Sequence, residues 1–204
     1  MSISAWFSLF AVCLLGAMSP GPSLAMVTKH SLAGGRLNGF ATAWAHAVGI
    51  GIYAFLTVIG LSIVLHKAEW LFESISLAGA FYLAYLGWKS IRSKGGVADR
   101  LKEGKKVSVL QSAKEGILIS SLNPKIALFF MALFSQFISL GHDWMSRGIL
   151  VATPFLVDGL WYTVITLLLS SAVVTEKLRS KAVLIDRLSG VILLGLAVRV
   201  VATL

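Results

Sequence analysis

His46, Lys125 and Asp158 are ionisable residues set in otherwise apolar runs, and two proline motifs, Ser19-Pro20-Gly21-Pro22 and Asn123-Pro124-Lys125, interrupt runs of the same kind. Proline lacks an N–H and displaces the carbonyl one turn earlier, so Pro20 and Pro22 free the carbonyls of Gly16 and Met18, and Pro124 frees that of Ser120. Free carbonyls attract cations. Ser and Asn are preferred N-caps and Pro a preferred first helical residue, so each motif reads as the start of a new half-helix. The N–H groups opening a half-helix carry positive partial charge and suit an anion. The two motifs together offer both poles that a zwitterion needs: a carboxylate near Ser23 and Lys125, and an ammonium near carbonyls or an acid.

Asp158 is the first choice for that acid, either recognising an amine or coupling to protons, because a charge inside a membrane-depth segment is costly and marks a pathway or relay. Alternatively, Lys125 and Asp158 form a buried structural salt bridge. His46 titrates near neutrality, so it is either a proton-linked group or half of an interhelical hydrogen bond. Tyr162, one turn beyond Asp158, either lines the same cavity or packs. A nucleophilic scheme drawn from Ser19, Ser23 and His46 lacks a Gly-x-Ser-x-Gly elbow, so no catalytic residue and no enzymatic activity are expected. A metal site needs several converging acids or thiolates. Asp158 is alone at depth and Cys13 is the single cysteine, so no metal site and no cofactor are expected.

The elements that position these residues follow from composition. The 204 residues are 57% hydrophobic and 13% charged, with mean hydropathy +0.84. A soluble domain carries about 25% charge, so this chain belongs in lipid. Its net charge of +9 is then a topology signal rather than a nucleic-acid footprint, and no nucleic-acid partner is expected. A span needs about 20 apolar residues, and six stretches qualify: Ile3 to Val27, Asn38 to Leu65, Trp70 to Ile91, Ala113 to Ile138, Gly148 to Val174 and Val183 to Val201. No Lys or Arg precedes the first of them, which argues against a cleaved signal. The chain reads as one membrane domain over residues 1–204. Most Lys and Arg follow the first, third and fifth spans, and the basic loop 92–112 is the richest, so both termini are expected outside and that loop against anionic headgroups.

The broken spans are the first and fourth, and the third and sixth share Leu77-Ala78-Gly79 and Leu188-Ser189-Gly190. The expected fold is therefore all-α, an integral membrane bundle of six transmembrane helices built as two inverted three-helix repeats, about 1–91 and 113–204. Pro20 stands near cytoplasmic Lys29 and Pro124 near cytoplasmic Lys114, which puts both breaks about 14–15 Å deep. Breaks at matching positions of inverted halves are the pattern of secondary transporters, whose site lies where they meet. Rival readings are a divalent-metal exporter and a non-transporting membrane subunit.

The chain also resembles the LysE/RhtB family of amino acid exporters, in its homoserine, threonine and leucine branch. The resemblance is carried by Ser19-Pro20-Gly21-Pro22, by Gly35, Gly39, Gly49 and Gly60-Leu61, and by Gly79 with Tyr82-Leu83 and Leu86-Gly87. It continues through Asn123-Pro124-Lys125 with Phe134, Gln136 and Phe137, then Asp158 and Gly190. It implies a dimeric exporter of amino acids or close derivatives in the cytoplasmic (inner) membrane, driven by protons. His46 departs from that pattern, whose residue there is apolar. A single deep acid beside Lys125 favours neutral over basic substrates.

Overall fold

The computed structural model describes residues 1–19, 21–94, 105–138, 141, 143–171, 176–177 and 180–202. Among them stand seven helices: α1 (Ile3–Met18), α2 (Pro22–Lys67), α3 (Glu69–Ile91), α4 (Val109–Leu122), α5 (Pro124–Ile138), α6 (Trp144–Leu169) and α7 (Ala182–Ala202). The fold is all-α. Among the described residues two helical stretches are long and apolar enough to cross a membrane, Pro22–Gly60 and Trp144–Leu169.

Residues that precede proline avoid the helical region, and this ends both α1 and α4. Ser19, before Pro20, has φ −65° and ψ 121°; Asn123, before Pro124, has φ −84° and ψ 107°. The two breaks resume differently. Helix α5 starts at Pro124, with Asn123 as its cap, as the motif predicts. Helix α2 starts at Pro22, and its first turn closes from Ala25 N–H to the carbonyl of Gly21. Ser19 therefore ends α1 rather than capping α2, and Pro20 lies outside the described residues.

The expected loop between the first two spans is instead helical on both sides of one residue, Gly35, at φ 77° and ψ −170°. That region is open essentially to glycine alone. The consequence is a reversal. Ser23 and His46 are 23 positions apart, which in a straight helix is about 35 Å, yet their side chains share a hydrogen bond of 2.8 Å. The two arms of α2 thus form an antiparallel hairpin. It is held against α4 at Gly116, where any Cβ would overlap the carbonyl oxygen of Thr42. Helix α6 lies along the same hairpin, and α3 packs mainly on α7, with Gly87 and Gly190 facing each other's carbonyls.

Contacts sort the two ends of the bundle. At one end Lys29 Nζ meets Glu115 Oε2 at 2.8 Å, Asn38 donates to the carbonyl of Val107, and Arg36 donates to Ser170. At the other, the Met1 ammonium donates to Ser146 Oγ, which lies in the first turn of α6 beside its cap Asp143. The Ser146 hydrogen bonds hold the exposed Asp143 carboxyl below the usual carboxylate range. Between the ends lie two apolar clusters, a large one around Leu9, Leu83, Phe130 and Phe134 and a smaller one around Val27, Ala43 and Tyr162.

Because Gly35 has open space around its Cβ direction, only backbone strain opposes a side chain there. Gly35→Ala is expected to destabilise the protein by about 1–3 kcal/mol, read as a lower thermal midpoint in detergent. An unchanged midpoint would mean that the hairpin does not need this backbone conformation.

Candidate functional site

The two breaks meet. Asn123 Oδ1 accepts from the backbone N–H of Lys125 at 3.1 Å, capping α5, while its Nδ2 donates to Ser23 Oγ in the first turn of α2 at 3.3 Å. Lys125 Nζ reaches back to α1 and donates to both the carbonyl oxygen and the hydroxyl of Ser19, each at 2.8 Å. A cation thus sits on a carbonyl at the break, and it is the protein's own ammonium; the carbonyl is that of Ser19, whereas the Gly16 carbonyl, expected to be free, accepts from the Ser19 N–H at 3.3 Å.

His46 continues the network. Its Nε2 lies 2.8 Å from Ser23 Oγ and its Nδ1 lies 2.7 Å from Asp158 Oδ2. The ring is 1% exposed and Asp158 is 6% exposed. Hydrogen bonds link Asp158 through His46 and Ser23 to Asn123, which holds the backbone N–H of Lys125, and the side chain of that lysine carries the connection on to Ser19. In a neutral imidazole one nitrogen donates and the other accepts. With Asp158 ionised, Nδ1–H donates to the carboxylate and Nε2 accepts from the Ser23 hydroxyl. A protonated ring donates from both nitrogens, and the Ser23 proton must then turn elsewhere. The charge state of His46 is therefore passed to the hydroxyl that touches the second break.

The alternative reading, a salt bridge between Lys125 and Asp158, gives way to this arrangement, in which His46 holds the acid and Ser19 holds the lysine. The physical reason is position: the hairpin of α2 brings His46 between α6 and the breaks. His46 is an interhelical hydrogen-bond partner, joining the second arm of α2 to the first arm and to α6. Tyr162 stands edge-on to its ring at 5.3 Å and donates to the carbonyl of Ala17 at 3.4 Å.

Ser19, Gly21, Ser23, His46, Asn123, Lys125, Asp158 and Tyr162 line one cavity of about 50 Å³, walled on its other sides by apolar groups. This is well below the roughly 300–1,000 Å³ of ligand pockets. A vestibule of about 840 Å³ adjoins it and shares Ser19, Gly21, Asn123 and Lys125. Pro22 and Pro124 line the vestibule, whose far wall includes Tyr82, Tyr85 and Lys89 of α3, Arg92 and Ser93 just beyond that helix, and Asp186 of α7. Lys125 stands at the neck between the two spaces. The motif reading does not single out Pro154 or Cys13, which also line the cavity, and it names Gly16, a further lining residue, only for its carbonyl. Pro154, inside α6, carries a legible signal of the same kind as the other prolines; Cys13 carries none. Trp161, near Asp158 in sequence, faces a surface groove with Trp6 instead. Among the described residues no group of three or more His, Cys, Asp or Glu side chains could hold a metal ion.

Residues 14–203 match the family described as LysE type translocator. The chain belongs to that family. It is a membrane transport protein and not an enzyme. Among similar proteins, a threonine efflux protein of Salmonella typhi is 23% identical over 96% of this chain and 97% of its own length. A leucine efflux protein of Salmonella choleraesuis is 32% identical over 88% of this chain and 86% of its own. An uncharacterized membrane protein of Bacillus subtilis, YrhP, is 28% identical over 94% and 97%. No solved structure matches.

Asn123 both caps α5 and donates to Ser23, so Asn123→Ala removes two interactions at the meeting point of the breaks. Loss of the cap alone costs about 0.5–2 kcal/mol, and thermal unfolding of the purified translocator should show a loss of at least that size. Asn123→Asp keeps the cap acceptor and should recover the larger part. Equal losses in the two variants would contradict the capping role.

Proposed function

We propose that this translocator exports neutral amino acids or close derivatives across the cytoplasmic membrane in exchange for protons, with the substrate held where the two breaks meet. The observation that carries this reading is the path from Asp158 through His46 and Ser23 to Asn123. It joins a buried acid–base pair to both half-helix starts. Names of relatives that describe threonine and leucine efflux support a neutral substrate.

In this reading the substrate carboxylate replaces Ser19 as a partner of Lys125 and lies against the N–H groups that open α5. Its ammonium approaches Asp158. A proton on His46 repels that ammonium, so proton and substrate compete for one negative charge. Competition of this kind makes an exchanger: a proton arriving from outside expels the substrate, and its release to the cytoplasm lets the next one bind. Such coupling requires only that the two ligands differ in affinity between the two access states.

The membrane arrangement is part of the same proposal. Helix α1 and the first arm of α2, end to end across the first break, make one span; the second arm of α2, α3, α4 with α5, α6 and α7 make the other five. The 14 and 15 residues of α4 and α5 rise about 43 Å if colinear, enough to cross a core of about 30 Å. The matched extended residues Ser19 and Asn123 support two inverted repeats. The end that holds Lys29, Arg36 and Glu115 faces the cytoplasm by the positive-inside rule, which leaves both termini outside. The dimeric state rests on the family resemblance.

Cells preloaded with labelled neutral and basic amino acids test the reading, comparing wild type, Asp158→Asn and His46→Gln at matched membrane abundance, with and without a protonophore. Wild type should release neutral amino acids in a protonophore-sensitive way, and each variant should lose at least about tenfold in that flux, one missing charge or proton step being equivalent to about 1.4 kcal/mol or more. Efflux equal to that of empty cells across the panel would sink it.

A further inference from the structure

Hydrogen bonds join Asp158, His46, Ser23, Asn123, Lys125 and Ser19 along the polar side of the cavity, which suits the backbone-like groups of an amino acid. The remaining wall faces the side chain. It includes Cys13 and Gly16 of α1, Ile50 of α2, and Ile126, Phe129 and Phe130 of α5. Phe130 is pinned by three rings: Phe134 at 4.7 Å, Phe129 at 6.0 Å and Tyr53 at 6.2 Å. Phe129 is held differently. Its ring occupies the space that the missing side chain of Gly16 leaves open: a Cβ on Gly16 would overlap Cζ and Cε2 of that ring and lie 3.0 Å from Cε1. The ring is 7% exposed and lines the cavity together with Gly16.

We propose that Phe129, seated in the notch at Gly16, is the residue that sets the largest substrate side chain the site accepts. This rests on the export reading above and concerns the side-chain end of the same site. A ring parked in the notch leaves limited volume beside the hydrogen-bonded network. A smaller residue at 129 enlarges that volume, and a methyl at 16 forces the ring out of its notch into it. The two positions therefore act on one quantity in opposite directions. Apolar pockets discriminate by size at about 10–200-fold per methylene, which is the range within which the effect is expected.

The test is efflux from cells preloaded with alanine, threonine, leucine and phenylalanine, ranked for each protein at matched membrane abundance. Phe129→Leu should raise the flux of phenylalanine relative to alanine about tenfold. Gly16→Ala should shift the ranking the other way, towards alanine, and the double variant Gly16→Ala/Phe129→Leu should return towards the wild-type order. The proposal is overturned if the ranking is unchanged in both single variants, or if Phe129→Leu lowers all four fluxes equally, since a selector must change the order. A wild type that exports none of the four overturns the export reading instead, which is a distinct result.

Discussion

Lipid offers no hydrogen bonds, so every polar group at membrane depth must find its partner inside the protein. The path through Asp158, His46, Ser23, Asn123, Lys125 and Ser19 meets that demand for six polar residues at once. Its members come from α1, both arms of α2, the α4–α5 break and α6. Helices α1, α2, α4, α5 and α6 therefore meet at one centre, to which α3 and α7 contribute no member. Removing one partner would leave another buried and unpaired, which costs more than the interaction itself returns. The chain reversal at Gly35 is what brings Ser23 and His46 into reach, and the close approach at Gly116 holds that hairpin against α4.

Much of this was legible because proline and charge are loud signals in apolar sequence. Ser19-Pro20-Gly21-Pro22 and Asn123-Pro124-Lys125 locate both breaks, and the demand that a residue before proline be extended is met at Ser19 and Asn123 alike. Asp158, Tyr162 and Lys125 do line one cavity. What pairs with what was not legible. Lys125 and Asp158 are the natural couple on charge alone, but partner choice depends on the hairpin, and the backbone angle of Gly35 leaves no mark in a run of ten residues that also holds Lys29, Gly34 and Arg36. For the same reason residues 28–37 read as loop and are helix on both sides of Gly35.

In the proposed orientation the cavity and the vestibule would correspond to one stage of a transport cycle. The vestibule runs from the breaks to Arg92 and Ser93, at the end of α3 assigned to the cytoplasm. The opposite direction is filled by Phe129, Phe130, Phe134 and Phe137, all buried. Substrate from the cytoplasm would thus meet Lys125 first, at the neck, and the acid–base pair second. Such an order suits an exchanger, because the carboxylate is captured before the ammonium competes with the proton.

The central claim is that proton and substrate compete at the His46–Asp158 pair. Purified protein in proteoliposomes loaded with a pH-sensitive dye tests it directly: an imposed gradient of the exported amino acid should drive protons in the opposite direction, and Asp158→Asn should abolish that proton movement. Substrate flux without any proton movement, or proton movement unchanged in Asp158→Asn, would contradict the account.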